Sequence, residues 1–385
     1  LTEASFSERP SDKIGKTVAK ILYGEISPYS ATRLERFAAC AFAHFLQYGL
    51  KVTERAEYEF RAMDMGNVMH MALEKFAVEV RKEGLDWAEL TEEERNRIID
   101  SCLDQVSADY GNTVLKSSAR NEYMIERTRR ILRRTVWALQ EQLKHGAFRP
   151  EGFEVRFQGG RIDRVDIMEE PENNRVYVKV IDYKTGNTSF DLLALYHGLQ
   201  LQLMVYLDGA LQVEKRKYPD REIVPAGVFY YNVKDPMIQE KIHADMESIN
   251  EQMLKKMKMN GLVQADDNMS TKIDSTMASI PVSLNRDGSF SKRSSVASRK
   301  QFDVLGAYVR RKICDIRESI LDGNAAVEPY ELEKKNACTY CPYLTVCGFD
   351  RKIPGYEFHR LSSIGEDALW KKIMKGEEEN GSEMD

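Results

Sequence analysis

Apolar residues recur at helical spacing over 30–50, where Leu34, Phe37, Ala38, Ala41, Phe42 and Phe45 share a face and Ser30 or Thr32 stands in a capping position. A second helix is predicted over 64–82, and a helical, heavily charged stretch over about 91–147, opened by "TEEE". The character then changes. "FEVRFQGGRIDRVDIME" and "NRVYVKVIDYKTG" are rich in strand-forming residues and are separated by the turn-former "EPENN", which predicts a hairpin. A long helix is predicted over about 191–214, a β-like run over 224–233 and a last helix over about 299–322. Residues 262–300 are polar and rich in Ser and Lys, the composition of a mobile loop or insertion. Residues 1–28 read as a polar lead-in, and the acidic end of the tail 353–385 as disordered. The helical segment 29–150 and the core 151–352 are expected to form one domain; no internal repeat is visible.

Alternation within the hairpin sets acids on an apolar face. In "VYVKVIDYK", Val176, Val178, Val180, Asp182 and Lys184 have one parity, and in "RIDRVDI" Asp163 shares its parity with Val165 and Ile167. Centring the turn between Glu172 and Asn173 places Val165 opposite Val180, Ile167 opposite Val178 and Asp163 opposite Asp182. Two carboxylates ~5 Å apart across a ladder repel each other, so a positive charge belongs between them. A divalent cation, Mg²⁺ or Mn²⁺, suits carboxylate oxygens. Lys184, two residues on, is placed to orient a water. The plainer alternative is a strand-end salt bridge between Lys184 and Asp182.

Composition narrows the setting. With 385 residues, 42% hydrophobic and 30% charged, the chain suits one large domain or two ordinary ones. No run approaches the ~18 apolar residues of a membrane span, and the first residues lack an apolar signal core. The chain does not begin with Met, so a fragment of a longer protein is expected. A net charge of −5 argues against a protein coated in basic residues but leaves room for a local basic groove. "RTRRILRR" (127–134) is the candidate: Arg127, Arg130 and Arg134 would touch phosphate, against the alternative of a solvated helix face. Of six cysteines, Cys338, Cys341 and Cys347 crowd into "NACTYCPYLTVCGFD", a spacing that reads as a metal site one ligand short. Cys102 and Cys314 read as ordinary helix residues.

"GRIDRVD" followed by "VIDYKTG" resembles the core of PD-(D/E)XK nucleases in the version of the RecB-type enzymes. "QLMVY", Gln202 to Tyr206, resembles the Q-x-x-x-Y motif of that group, and "GNVMHMALE" the segment that supplies its metal-binding histidine, here His70. Members with an iron–sulfur cluster use one cysteine far upstream and three downstream, which makes Cys40 in "ERFAACAFAHF" the fourth ligand beside Cys338, Cys341 and Cys347 of a 4Fe–4S cluster; zinc is the alternative. Together with "SATRLERFAACAFAHFLQYGL" and "YHGLQLQLMVYL", these segments resemble the B subunits of bacterial AddAB helicase–nucleases over about 28–352. The resemblance implies an α/β fold: a restriction-endonuclease-like mixed sheet flanked by helices, with helical insertions and an iron–sulfur staple. It implies a cytoplasmic, Mg²⁺-dependent exonuclease that cuts the 5′-terminated strand at DNA breaks, beside an AddA-type subunit. Asp163, Asp182 and His70, with the backbone carbonyl of Tyr183, would hold one or two Mg²⁺. Lys184 would position water and phosphate, and Gln202 and Tyr206 would support the site or hold the strand. With no Walker A loop, the chain is expected to be the nuclease part alone. A stand-alone exonuclease of the Cas4 type and a non-catalytic DNA-binding or scaffold module are the other readings.

Overall fold

The computed structural model describes residues 13–24, 29–54, 62–110, 118–238, 245–266 and 268–381. Helix α1 (Lys16–Tyr23) lies within the expected polar lead-in, yet Ala19 and Tyr23 are buried. Helix α2 (Ala31–Ala39) is capped by Ser30, whose Oγ accepts the Arg33 N–H at 3.3 Å. The single helix expected over 30–50 stops at Cys40, whose backbone is extended (φ −168°, ψ 114°), and resumes as α3 (Ala41–His44) with a wider turn over Phe45–Gly49. Backbone pairing continues across the break. The Cys40 N–H closes on the Arg36 carbonyl, and the Cys40 carbonyl accepts the His44 N–H. Apolar periodicity alone therefore gives no sign of it.

Helices α4 (Ala62–Lys82), α5 (Glu92–Asp109) and α6 (Ala119–Lys144) come next. Thr91 and Glu94 form a reciprocal capping box that satisfies two amides at the start of α5. Six strands follow in one mixed sheet, in chain order: β1 (Arg149–Phe157), β2 (Gly160–Glu170), β3 (Arg175–Lys184), β4 (Glu222–Asn232), β5 (Asn260–Gln264) and β6 (Val296–Ala297). The segment 153–169 is thus two strands, β1 folding back onto β2 through Gly159 (φ 129°). Strands β2 and β3 are antiparallel with Val165 against Val180 and Ile167 against Val178, as the alternation predicts.

Strand β4 runs parallel to β3, and the connection carries α7 (Leu192–Tyr196) and α8 (Gln202–Lys217). The one helix expected over 191–214 is interrupted at Gly198, which takes φ +79° while its N–H and that of Leu199 close on the Leu195 and Ala194 carbonyls. This left-handed termination ends α7 and lets α8 start afresh at Gln202.

Both faces of the sheet are covered. Tyr177, Ile181 and Tyr183 of β3 pack with Phe76 of α4, Leu103 of α5 and Val136 of α6. Val176, Val178 and Val180 pack with Leu34 of α2 and Leu203 and Leu207 of α8. The same aliphatic face also takes Phe302 and Leu305 of a later helix, given below as α11. Helices of the segment before the strands thus contribute to the clusters on both faces of the sheet, and among the described residues no helix is long and apolar enough to cross a membrane.

After β4 come α9 (Met246–Lys256), β5, α10 (Met269–Ile273), β6 and α11 (Arg299–Leu321). Residues 262–300, read from composition as a mobile loop or insertion, hold the end of β5, α10 and β6 with turns and bends between them. Their polar groups are spent internally: the Asp274 carboxylate accepts the amides and hydroxyls of both Thr276 and Ser279. Strands β7 (Tyr330–Leu332), β8 (Lys335–Asn336) and β9 (His359–Arg360) form a small second sheet, with α12 (Leu344–Cys347) beside it. Helix α13 (Glu366–Gly381) buries Leu369, Trp370 and Ile373 against the main core. It runs into the acidic stretch expected to be disordered, of which the last four residues lie outside the described ones.

Midway along β2 and β3, on the helical face, sits an ionic trio. Arg164 Nε and Nη2 donate to the Asp166 carboxylate at 2.6 and 3.0 Å, and Lys179 Nζ meets it at 3.0 Å. All three side chains are at most 5% exposed. Arg164 also stacks 4.8 Å from the Trp87 ring. Removing the one acid would strand two cations in the interior, so Asp166→Ala should destabilise the fold by about 3–5 kcal/mol. The urea midpoint checks this; a loss below about 1 kcal/mol would show the trio to be solvated in practice.

Candidate active site

The ends of β2 and β3 set Asp163 beside His70 and Asp182 beside Lys184. Asp163 Oδ2 accepts the Tyr183 N–H at 2.8 Å and lies 3.3 Å from His70 Nδ1. His70 sits on α4, one turn beyond Gly66, where an added Cβ would stand 3.2 Å from Thr185 Oγ1; the bare backbone lets the helix approach the strand end. The Tyr183 contact runs through its amide. Asp182 Oδ2 pairs with Lys184 Nζ at 2.5 Å. Lys184 Nζ donates in turn to Gln202 Oε1 at 2.8 Å, and Gln202 Nε2 donates to the Tyr206 hydroxyl at 2.8 Å. The four residues Asp182, Lys184, Gln202 and Tyr206 thus form one connected chain. Tyr206 is steadied by the edge-on ring of Phe157.

Two acids that the sequence reading passed over complete the surroundings. Glu154 of β1 offers a carboxylate oxygen that lies, with the ligand atoms of His70 and Asp163, in a group whose members are all within 4.8 Å of one another. Strict alternation would put its neighbours Phe153 and Val155 on one face, yet Phe153 packs with the cluster under the helical layer and Val155 with the cluster on the other face. A left-handed backbone at Glu154 (φ 51°), just after the register shift at Pro150–Gly152, departs from the regular strand geometry on which parity rests. Glu154 also pairs with Arg161. Glu35 of α2 is the other acid: its Oε1 accepts the Leu201 and Gln202 amides at 2.6 and 2.9 Å. Only a contact across 166 positions reveals it.

The four cysteines singled out in the sequence line one small cavity with Phe42, Val327 and Phe349. All are free thiols. Asn336 Oδ1 gathers the amides of Cys338 and Thr339 at 3.0 Å each and so shapes the turn that presents Cys338 and Cys341. The Tyr343 hydroxyl reaches back to the Val52 carbonyl at 2.9 Å, and the Phe42 N–H to the Ala326 carbonyl at 3.0 Å. These bonds tie the two ends of the domain beside the thiols. Cys102 is buried in α5 and Cys314 exposed on α11, outside the group.

A family model described as the PD-(D/E)XK nuclease superfamily matches residues 28–348. The chain belongs to that superfamily. The B subunit of an ATP-dependent helicase/deoxyribonuclease from Lachnoclostridium phytofermentans is 40% identical over 98% of this chain and 34% of its own length. The proteins of that name from Alkaliphilus metalliredigens and Thermoanaerobacter sp. are 35% and 34% identical over 97% and 98% of this chain, again across 34% of theirs. The chain therefore spans about a third of the length of these curated relatives.

The electrostatics around His70, Asp163 and Asp182 are those of an excess of acid. Burial pushes the Asp182 carboxyl up to about 6, with the Asp163 charge adding and Lys184 opposing. Burial, then Asp163, pushes Glu154 up to about 7. Burial likewise lifts Glu35 to about 7 against its two amide bonds. Burial disfavours a charged His70, yet the hydrogen bond and charge of Asp163 hold it above its ordinary value. A cation among His70, Glu154 and Asp163 would relieve the acids beside it and displace the His70 proton.

The basic helix contributes less. Arg134 is committed to Asp235 at 2.5 Å, Arg129 to Asp104 at 2.6 Å and Arg133 to Asp100. Arg127 and Arg130 are exposed on α6.

The raised Asp182 pKa carries a stability signature. Between its ordinary 3.8 and about 6, the folded protein holds more protons than the unfolded chain, so stability falls as pH rises through that window. Without divalent cations, Asp182→Asn should therefore raise the melting temperature near neutral pH and have little effect near pH ~4. Calorimetry at the two pH values checks the difference; an equal gain at both would mean that the carboxyl is not held up.

Proposed function

We propose that this chain is the nuclease module of a helicase–nuclease, hydrolysing phosphodiesters in DNA strands delivered from a break. The observation that carries the reading is the connected line Asp182–Lys184–Gln202–Tyr206 beside His70 and Asp163. His70, Asp163 and Asp182 would hold one or two Mg²⁺ or Mn²⁺ ions, with the Tyr183 carbonyl and Glu154 as further oxygens. The donor set fits hard divalent cations: carboxylates and one imidazole, crowded acids that call for positive charge. Such an ion supplies Lewis acidity toward the scissile phosphate and makes water a better nucleophile.

The residues of this chain do the positioning. Lys184 is held as an ammonium between Asp182 and Gln202, so its donors are presented at a fixed place. There it orients the attacking water and offsets charge on a phosphate oxygen. Gln202 fixes Lys184 from the other side, and Tyr206 fixes Gln202. Arg127 and Arg130, exposed on α6, would steer a strand, Arg134 having Asp235 as its partner.

The relatives' names support the wider setting: a B subunit of an ATP-dependent helicase/deoxyribonuclease. By the family resemblance read in the sequence, the module would work with an AddA-type subunit in the cytoplasm, cut the 5′-terminated strand as an exonuclease and prepare breaks for recombination. The four thiols Cys40, Cys338, Cys341 and Cys347, gathered around one cavity, would hold a 4Fe–4S cluster. Burial, with the neighbouring thiols adding, raises Cys40 and Cys338, and thiols so placed ionise readily only around a cation. The cluster would staple α2 to the C-terminal segment and stabilise the domain by closing a very long loop.

The test is Mg²⁺-dependent degradation of single-stranded DNA. Asp182→Ala should abolish it while DNA binding persists; retained cleavage in a clean preparation would end the assignment. Lys184→Ala should bind Mn²⁺ as well as the parent chain yet turn over ~10²-fold more slowly, the scale of a lost positioning or acid–base group. If excess metal restored its rate, Lys184 would be a partner of the carboxylates alone.

The cysteine reading is checked separately. Anaerobically purified protein should absorb broadly near ~400 nm, and Cys40→Ala should lose both iron and melting temperature. Full iron content in that variant would exclude Cys40 from the ligand set.

A further inference from the structure

Helix α8 begins without help from its own sequence. Its N-cap position is Leu201, which has no side chain able to accept a hydrogen bond. The first residue of α8 is Gln202, the residue that fixes Lys184. Free amides at a helix start need an acceptor, and a partly buried start has little water to supply one. The acceptor is Glu35, from a helix 166 positions upstream. A single oxygen, Oε1, takes both the Leu201 N–H at 2.6 Å and the Gln202 N–H at 2.9 Å. The partial positive charge of a helix start favours a carboxylate at this place. Helix α2 carries Glu35 on its second turn and ends at Cys40, so the same short helix reaches the start of α8 and the thiol cavity.

We propose that Glu35 is a positioning residue of the nuclease site: by capping α8 from outside it fixes Gln202, and through Gln202 the ammonium of Lys184. The proposal rests on the nuclease reading above. Glu35 makes no contact with phosphate or water in this role. It sets the position of the α8 start, and thus of the Gln202 Oε1 that receives Lys184. Reach matters more than charge, since one oxygen at the right height serves both amides. A glutamine at position 35 keeps that oxygen; an aspartate keeps the charge but falls short by one methylene.

Three substitutions separate these features. Glu35→Ala and Glu35→Asp should slow single-turnover cleavage by ~10-fold or more, with DNA affinity within ~2-fold of the parent, whereas Glu35→Gln should stay within ~3-fold of the parent rate. Combining Glu35→Ala with Gln202→Ala should be no slower than Gln202→Ala alone, because the two act through one group. Hydrogen exchange read on the peptide spanning 199–206 should show the 201 and 202 amides protected in the parent and in Glu35→Gln, and opened in Glu35→Asp. This last measurement needs no activity, and the Asp and Gln pair decides the matter even if Glu35→Ala does not fold.

Additive rate losses in the double variant would overturn the proposal, as would a Glu35→Asp enzyme of parental rate or unchanged exchange at 201 and 202. If the parent chain itself shows no metal-dependent cleavage above Asp182→Ala, the nuclease reading falls. The exchange result then still decides whether Glu35 holds the α8 start.

Discussion

Asp163 and Asp182 repel each other, and the fold is arranged to hold them together regardless. They stand at the ends of two antiparallel strands whose other residues on that face are valines and isoleucine, and aliphatic packing fixes the strands where electrostatics would part them. Each acid has one compensating neighbour, His70 for Asp163 and Lys184 for Asp182, and each neighbour comes with a support of its own. His70 is carried by a helix whose Gly66 lies close against Thr185 of the strand end. Lys184 is held by Gln202, whose helix start is held by Glu35. Stability is given up at the centre and recovered in the surrounding shell, the arrangement expected where a cation is to bind.

Such an arrangement is legible in sequence where it depends on local period. Parity along β3 places Val176, Val178, Val180, Asp182 and Lys184 on one face, and the turn position gives the β2–β3 register. Helical spacing places Gln202 and Tyr206 one turn apart, where they do hydrogen-bond. The grouping of Cys40 with Cys338, Cys341 and Cys347 comes from family resemblance, since no periodic signal spans that distance.

What period does not carry is backbone exception and distant contact. Glu154 follows a register shift and adopts a left-handed conformation, and its neighbours Phe153 and Val155 pack on opposite faces of the sheet, so alternation does not place it. Gly198 and Cys40 break helices without disturbing the apolar spacing on either side. Residues 262–300 look mobile by composition because their serines and threonines satisfy buried partners such as Asp274 instead of water. Arg164 and Asp166 belong to the motif that points to Asp163, but their parity suggests a solvent face. The helical layer over that face turns them into a buried pair with Lys179.

That trio bears on how the hairpin finds its alignment. The two faces of β2 and β3 are chemically opposite at the same height: aliphatic packing on one side, Arg164, Asp166 and Lys179 on the other. A slip of one residue exchanges the faces of a strand. Here it would drive a guanidinium or an ammonium into a bed of valines and leucines and separate it from Asp166. A slipped register therefore costs the burial of an unpaired charge. The alignment that keeps the ionic pairs together is also the one that brings Asp163 and Asp182 to the same end of the sheet.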